Sequence, residues 1–207
     1  MKLISSKIFN MRLSEPFQVM LPRRLVLNLL GDQLFLVISP EKISGEVRIS
    51  EKRYFSPRGD WDINYTETRF TETYSIMEAI IAGPDSVLWK QKRSYLMCQV
   101  KNQPLRRSNN WMLFNDQDVD DYLRYCFDLA VAVKKQKLKD KHSPLTVAIG
   151  RGPSVFRTGD GRHRLSAALL LGVPLVARVN HIHIDVLRGA SVADVVDNLR
   201  NSLLYVD

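Results

Sequence analysis

Apolar residues recur along this chain with two different periods, and the change of period divides it into elements. Leu34-Phe35-Leu36-Val37-Ile38 is a short unbroken apolar run of strand length, ended by Ser39-Pro40-Glu41-Lys42. Glu46-Val47-Arg48-Ile49-Ser50 alternates polar and apolar positions, as a half-buried strand or extended segment does. From Glu67 to Ala82 the spacing becomes helical, with Phe70, Tyr74, Met77, Ile80 and Ile81 on one side and Gly83-Pro84 as the stop. Asp85 opens a second, weaker helical stretch to Val100, and Asn102 to Asn115 reads as a polar, basic loop holding Arg106 and Arg107. Val119, Tyr122, Leu123, Cys126, Leu129, Ala130 and Val133 trace the clearest amphipathic helix. Its first turn is acidic (Asp116, Asp118, Asp120, Asp121) and its tail basic (Lys134, Lys135, Lys137, Lys139), which suits the helix macrodipole. The lysines are therefore read as a helix end rather than a nucleic-acid patch.

The C-terminal third changes period more quickly. Leu145–Ile149 and Ser154–Phe156 flank Gly150-Arg151-Gly152-Pro153, a hairpin pattern. A glycine turn at Gly159–Gly161 then leads into a helix through Leu171, closed by Gly172-Val173-Pro174. Leu175–Val179 is another strand, with Asn180-His181-Ile182-His183 at its end. Ser191 is placed to cap a last helix whose Val192, Val195, Val196, Leu199 and Leu203 face inward. At the other end of the chain, Pro22 precedes Leu25, Leu29 and Leu30 on one helical face, with a turn at Gly31-Asp32. The stretch from Phe17 to Leu30 reads as an element packed on the core, the alternative being peripheral contact with a membrane surface. The sum is an α+β fold: a small mixed β-sheet with packed helices.

Length and charge narrow the possibilities. A chain of 207 residues supports one domain with a sizeable core. The 30 Lys+Arg against 22 Asp+Glu give +8, which favours an anionic partner: nucleotide, nucleic acid, phosphorylated substrate or anionic membrane. The competing reading is charge that serves solubility alone. Cys98 and Cys126 lie in helical segments without disulfide or metal spacing and are expected to be buried and reduced, which fits a cytoplasmic setting. No apolar run reaches the roughly 18 residues of a membrane span, and no secretory signal is evident.

The densest chemistry is Gly159-Asp160-Gly161-Arg162-His163-Arg164-Leu165. A strand, a glycine turn and a helix start present free backbone N–H groups to an anion. Arg162 and Arg164 offer planar forks for phosphate, and His163 a donor or proton shuttle. Asp160 can cap the helix or hold a metal ion.

Gly161-Arg162-His163-Arg164-Leu165-Ser166-Ala167-Ala168, followed by Leu171-Gly172-Val173 and a strand, resembles the signature of the ParB/sulfiredoxin superfamily. The similarity is to its Asp-Gly-x-His-Arg branch, which includes the free-serine kinases of this fold. It runs from Leu145 to His183, with an echo in Ile38–Ile43. The resemblance implies a ParB/sulfiredoxin-type sheet in a single domain, 1–207. The core would span about 32–50 and 144–190, with a helical insertion at about 64–140 and an N-terminal extension at 1–31. It also implies that Gly159, Asp160, Gly161, Arg162, His163 and Arg164 hold nucleotide phosphates. Members of the superfamily act as NTP hydrolases, kinases, sulfinic-acid reductases, DNA-binding partition proteins or nucleases. Arg162 stands where sulfiredoxins carry their catalytic cysteine, which argues against the reductase. Partition proteins carry a Gly-Glu-Arg-Arg version and a helix-turn-helix domain, for which the stretch after His183 is expected to leave no room.

The expectation is an ATP- or ADP-dependent phosphotransferase using Mg²⁺, with a small molecule or glycan supplying the acceptor hydroxyl. The alternative is a ParB-like nucleic-acid-binding protein or nuclease regulated by NTP; a third reading is a nucleotide sensor without turnover. Asp60 and Asp62, in Arg58-Gly59-Asp60-Trp61-Asp62, can bind Mg²⁺ or act as base, or can be a surface turn. Trp61 can stack on a sugar or base, or be buried. Glu41 and Glu46 are further base candidates; the kinase branch has an essential glutamate after the opening strand, and Glu41 fits slightly better. Arg178, His181 and His183 are read as lining the substrate site, with zinc ligation or a plain strand as alternatives, and metal at the turn falls to Asp160.

Overall fold

Apolar runs and glycine turns become the following elements in the computed structural model, which describes residues 22–50, 52–53, 55–108, 111–135, 144–152, 154–187 and 190–203. Helix α1 (Arg23–Leu30) leads to strands β1 (Phe35–Ile38) and β2 (Ile43–Glu46). Helices α2 (Glu72–Ala82) and α3 (Val87–Asn102), the hairpin β3 (Leu105–Ser108) and β4 (Trp111–Leu113), and helix α4 (Asp116–Lys134) follow. The chain ends with β5 (Leu145–Ile149), β6 (Val155–Arg157), α5 (Arg162–Leu171), β7 (Leu175–Ile182), α6 (Ile184–Leu187) and α7 (Val192–Leu203). Residues 1–21 of the expected extension, Pro153 of the expected hairpin, Lys137 and Lys139 of the helix tail, and the Leu203 side chain lie outside what is described.

One five-stranded mixed sheet organises the fold, in the order β1-β7-β5-β6-β2. β7 runs antiparallel to β1 and parallel to β5, while β6 runs antiparallel to β5 and parallel to β2. The central strand β5 is apolar without alternation because it is covered on both faces: Leu145, Val147, Ala148 and Ile149 are all buried. Helix α5 is buried from Arg164 through Ala168. It packs against α2 and α4, which explains its small residues Ser166, Ala167 and Ala168. Two of the three helices between β2 and β5, α2 and α4, therefore lie on α5 itself, and α3 packs on those two. Among the described residues no helix is long and apolar enough to cross a membrane.

Several expectations shift. The helix expected from Glu67 starts at Glu72, because Thr71 caps it by accepting the Tyr74 N–H at 3.2 Å. Phe70 is left in a 3₁₀ turn, 81% exposed, and the buried face is Ile76, Met77, Ala79 and Ile80. The expected loop at 102–115 contains the β3–β4 hairpin, whose Leu105, Trp111 and Leu113 reach the core while Arg106 and Arg107 disguise the strand. β2 ends at Glu46, although Val47 and Ile49 remain buried beyond it. β7 continues through His181 to Ile182. Cys126 is buried as expected, but Cys98 is exposed on α3. Ser191 does cap α7, accepting the Asp194 N–H at 3.1 Å.

Candidate functional site

Strand β6 ends at Arg157 and the chain turns tightly into α5. The Thr158 N–H bonds the Thr146 carbonyl at 3.0 Å, holding the turn against the start of β5. A Cβ on Gly159 would sit 2.6 Å from Thr146 Oγ1. Gly161, the residue before α5, has φ +102°, and a Cβ there would sit 2.7 Å from Leu145 Cδ1 and 3.0 Å from Arg164 Nη2. Only glycine fits this conformation and this contact. No side chain at Gly161 caps the helix, so the expected Asp160 cap is not made and the N–H groups of the first turn face outward from α5. Asp160 is exposed in the turn, close enough to Arg157 and Arg164 to act on their charge.

Three charged residues meet at this helix start. Arg162 grips Glu46 with both arms, Nε to Oε2 at 2.8 Å and Nη2 to Oε1 at 2.5 Å. Arg157 pairs with the same carboxylate. Burial pushes the Glu46 carboxyl up, but the hydrogen bonds from Arg162 and Arg157 outweigh it and hold the group below the usual carboxylate range. Arg157 is only 3% exposed and burial lowers its pKa, with Glu46 opposing; its Nε has no hydrogen-bond partner among the described residues. Arg164 is buried against Gly161, and burial lowers its pKa while Tyr125 and Asp160 oppose the shift.

His163 turns inward. Its Nε2 lies 2.7 Å from the Tyr122 hydroxyl of α4. Burial, reinforced by the charges of Arg162, Arg107 and Arg157, pushes the imidazole pKa down to about 4, so it is neutral at pH 7. Arg107 of β3 is fixed by Glu72 at the start of α2, Nη1 to Oε2 at 2.5 Å. Tyr122, Arg107 and Glu72 all come from the stretch read as an insertion. Sequence reasoning missed all three because nothing in their local pattern marks them apart from core or surface residues.

The two glutamate candidates differ in their surroundings. Glu41 is exposed on the 3₁₀ turn Pro40–Lys42, whereas Glu46 ends β2 directly opposite Arg157 in the parallel β2–β6 pair. That pairing, invisible locally, is what brings Glu46 to Arg157. A cleft of about 520 Å³ opens beside it, lined by Glu46, Val47, Arg48, Ser50, Lys52 and Gly159 among others.

The Asp60–Asp62 loop lies at the opposite end of β5. Asp62 Oδ2 accepts the Arg151 backbone N–H at 2.7 Å and Nε at 3.1 Å, while Oδ1 accepts Nη2 at 2.7 Å. Asp60 Oδ1 accepts Nη2 at 2.8 Å. Burial raises the Asp62 pKa, but these bonds outweigh it and hold the carboxyl below its ordinary range. Trp61 is buried beside Phe156 and His183, with ring centroids 6.3 and 5.5 Å away. The loop is a clasp on the β5–β6 hairpin: both carboxylates engage Arg151, Asp62 most fully, and the indole is buried against Phe156 and His183.

His183 secures that clasp. Its Nδ1 accepts the Asp185 N–H at 3.1 Å, so Nε2–H donates to the Gly59 carbonyl at 2.8 Å. With both ring nitrogens engaged, zinc ligation is not available to it. His181 is buried, its Nε2 3.5 Å from Arg23 Nη1. Arg178 alone of these three lies at the turn's end of the sheet, opposite Thr146 in β5, with Nε donating to Asn180 Oδ1 at 3.2 Å. Among the described residues no three His, Cys, Asp or Glu side chains gather to hold a metal. Asp160 is the carboxylate of the turn and is exposed. Comparison of the chain with protein-family models, with curated proteins and with solved structures finds no match in any of the three.

Proposed function

We propose that the Gly159–Arg164 turn binds nucleotide phosphates and that the protein is a phosphotransferase of ParB/sulfiredoxin type. It moves the terminal phosphoryl group of ATP or ADP to a hydroxyl of a small molecule or sugar. The observation that carries this is the Glu46 carboxylate gripped by Arg162 and Arg157 at the mouth of a glycine turn that opens a helix. Anion-binding groups and a candidate base are thereby within one hydrogen bond of each other.

Phosphate oxygens meet the first-turn N–H groups of α5 and the Arg162 fork, and the buried Arg164 adds fixed positive charge behind the turn. A phosphate that takes Arg162 releases Glu46 from one of its two partners, leaving its carboxylate to accept the acceptor hydroxyl's proton. The hydroxyl oxygen forms a bond to the terminal phosphorus. The bond from phosphorus to the bridging oxygen breaks, and its electron pair leaves on the shortened nucleotide. Neutral His163 serves as a hydrogen-bond donor or acceptor rather than a cation. Asp160 would hold Mg²⁺, whose chemistry there would be to offset phosphate charge.

Calorimetry with ATP, ADP, CTP and GTP, each with Mg²⁺, tests the reading. One nucleotide binds, and Arg162→Ala weakens it by about tenfold or more, the scale of a lost bidentate pair. Absence of binding by all four rejects it. Steeply salt-dependent DNA binding that ignores nucleotide would instead favour the nucleic-acid reading.

A further inference from the structure

The segment that follows β2 has a regularity the phosphate turn does not need. Val47 and Ile49 are anchored in a small core with Trp61, Ala148 and Phe156, and the Val47 N–H bonds the Arg157 carbonyl at 3.0 Å. Their polar neighbours Glu46, Arg48, Ser50 and Lys52 all line the cleft of about 520 Å³ whose other wall is Thr158 and Gly159. The extended stretch therefore sets Glu46, Arg48 and Ser50 along one side of the cleft, and the turn at Lys52 adds an ammonium to its lining. Glu46 is neutralised by Arg157 and Arg162. Among the described residues neither Arg48 nor Lys52 is paired with a carboxylate, and both are exposed. The described lining carries two unpaired cations beyond the neutralised Glu46, and the cleft is of ligand size and touches both Glu46 and the glycine turn.

From this we infer that the cleft is the acceptor site and that the acceptor is a small, already anionic hydroxyl compound of the phosphosugar or phosphopolyol class. Its anionic group lies on Arg48 and Lys52, and its hydroxyl points to Glu46. Two cations set along the wall from a single carboxylate select for a charged end and a reactive hydroxyl on the same molecule. A neutral sugar leaves both cations facing water and gains nothing from them. The inference rests on the phosphotransferase reading only for what happens to the hydroxyl; the anion specificity of the cleft is independent of it.

The test uses the full chain with ribose 5-phosphate and glycerol 3-phosphate as probes, and ribose and glycerol as neutral controls, followed by NMR of backbone amides at millimolar ligand. At least one phosphorylated probe shifts residues 47–50, 52, 158 and 159, about tenfold more tightly than its neutral counterpart. The exposed double substitution R48E/K52E removes that preference and leaves Mg²⁺·ADP affinity within about threefold. Equal binding of charged and neutral probes, or no binding of either phosphorylated probe, overturns the inference. A tenfold loss of ADP affinity in R48E/K52E would assign the cleft to the nucleotide and also overturn it. Displacement of the probes by a short oligonucleotide would give the cleft to a polynucleotide backbone, with the same consequence. Charge-selective probe binding in a protein that binds no nucleotide would remove the phosphotransferase reading and keep the cleft's specificity.

Discussion

The Tyr122 hydroxyl lies 2.7 Å from Nε2 of His163, joining the 19-residue helix α4 to the first turn of α5. The imidazole is buried there among three arginine charges, and its pKa falls from the ordinary 6.5 to about 4. Between those values the unfolded chain binds the proton and the folded one does not, so stability declines as pH drops from 6.5 toward 4. The loss is about 3 kcal/mol at most. His163→Gln therefore flattens the acid limb, seen as a smaller gap between urea midpoints at neutral pH and near about pH 4.5. Glu46, whose carboxyl is also held down, keeps some slope of the same sign in that variant.

Gly161→Ala destabilises the fold by about 2 kcal/mol, since it combines a positive φ with a Cβ pressed against Leu145. Gly152→Ala, at φ +66° with open space around it, costs about 1 kcal/mol. Thermal or urea unfolding of the two variants separates the steric term from the conformational one. Equal losses would show that the Leu145 contact relaxes freely.

Asp62→Asn removes the charge that accepts three hydrogen bonds from Arg151 and lowers stability by about 2 kcal/mol. Asp60→Asn, at an exposed carboxylate with one such bond, costs under about 0.5 kcal/mol. Neither changes nucleotide affinity, because the clasp is at the far end of β5 from the turn. A loss of nucleotide binding in a folded Asp62→Asn protein would return the loop to the chemistry.

Glu46→Gln moves binding and turnover in opposite directions. Without the carboxylate competing for Arg162 and Arg157, affinity for inorganic phosphate or ADP rises about threefold or more. Phosphoryl transfer, lacking its base, falls by about a hundredfold or more. Calorimetry beside a turnover assay checks both, and a parallel decline in the two would mark Glu46 as a structural residue.

What was legible in the sequence depended on whether the information was local. The glycine turn, the start of α5 and the Ser191 cap follow from residues within a few positions of each other, and each is present. The α+β class followed from hydrophobic period. Arg106 and Arg107 hid the β3–β4 hairpin because two adjacent cations break the alternation that marks a strand. The contact of Glu46 with Arg157 is not legible locally, because it depends on β2 pairing with β6 across more than a hundred residues of chain. Trp61 and Asp62 carry functional-looking chemistry, yet their surroundings, Phe156, His183 and Arg151, turn them into packing and a clasp. Local sequence names the side chain; only tertiary partners decide whether its reactive atoms are free.

The Glu46–Arg162 contact closes a loop of 116 residues. Contacts of such separation form late, since the entropy of closing the loop is lost before the contact returns anything. A folding chain can have α2, α3 and α4 in place while the corner of Glu46, Arg157 and Arg162 is still absent. Phosphate binding would therefore report completion of the sheet rather than collapse of the helices. A ligand at that corner would act on the last stage of folding, retaining finished molecules without hastening the early ones.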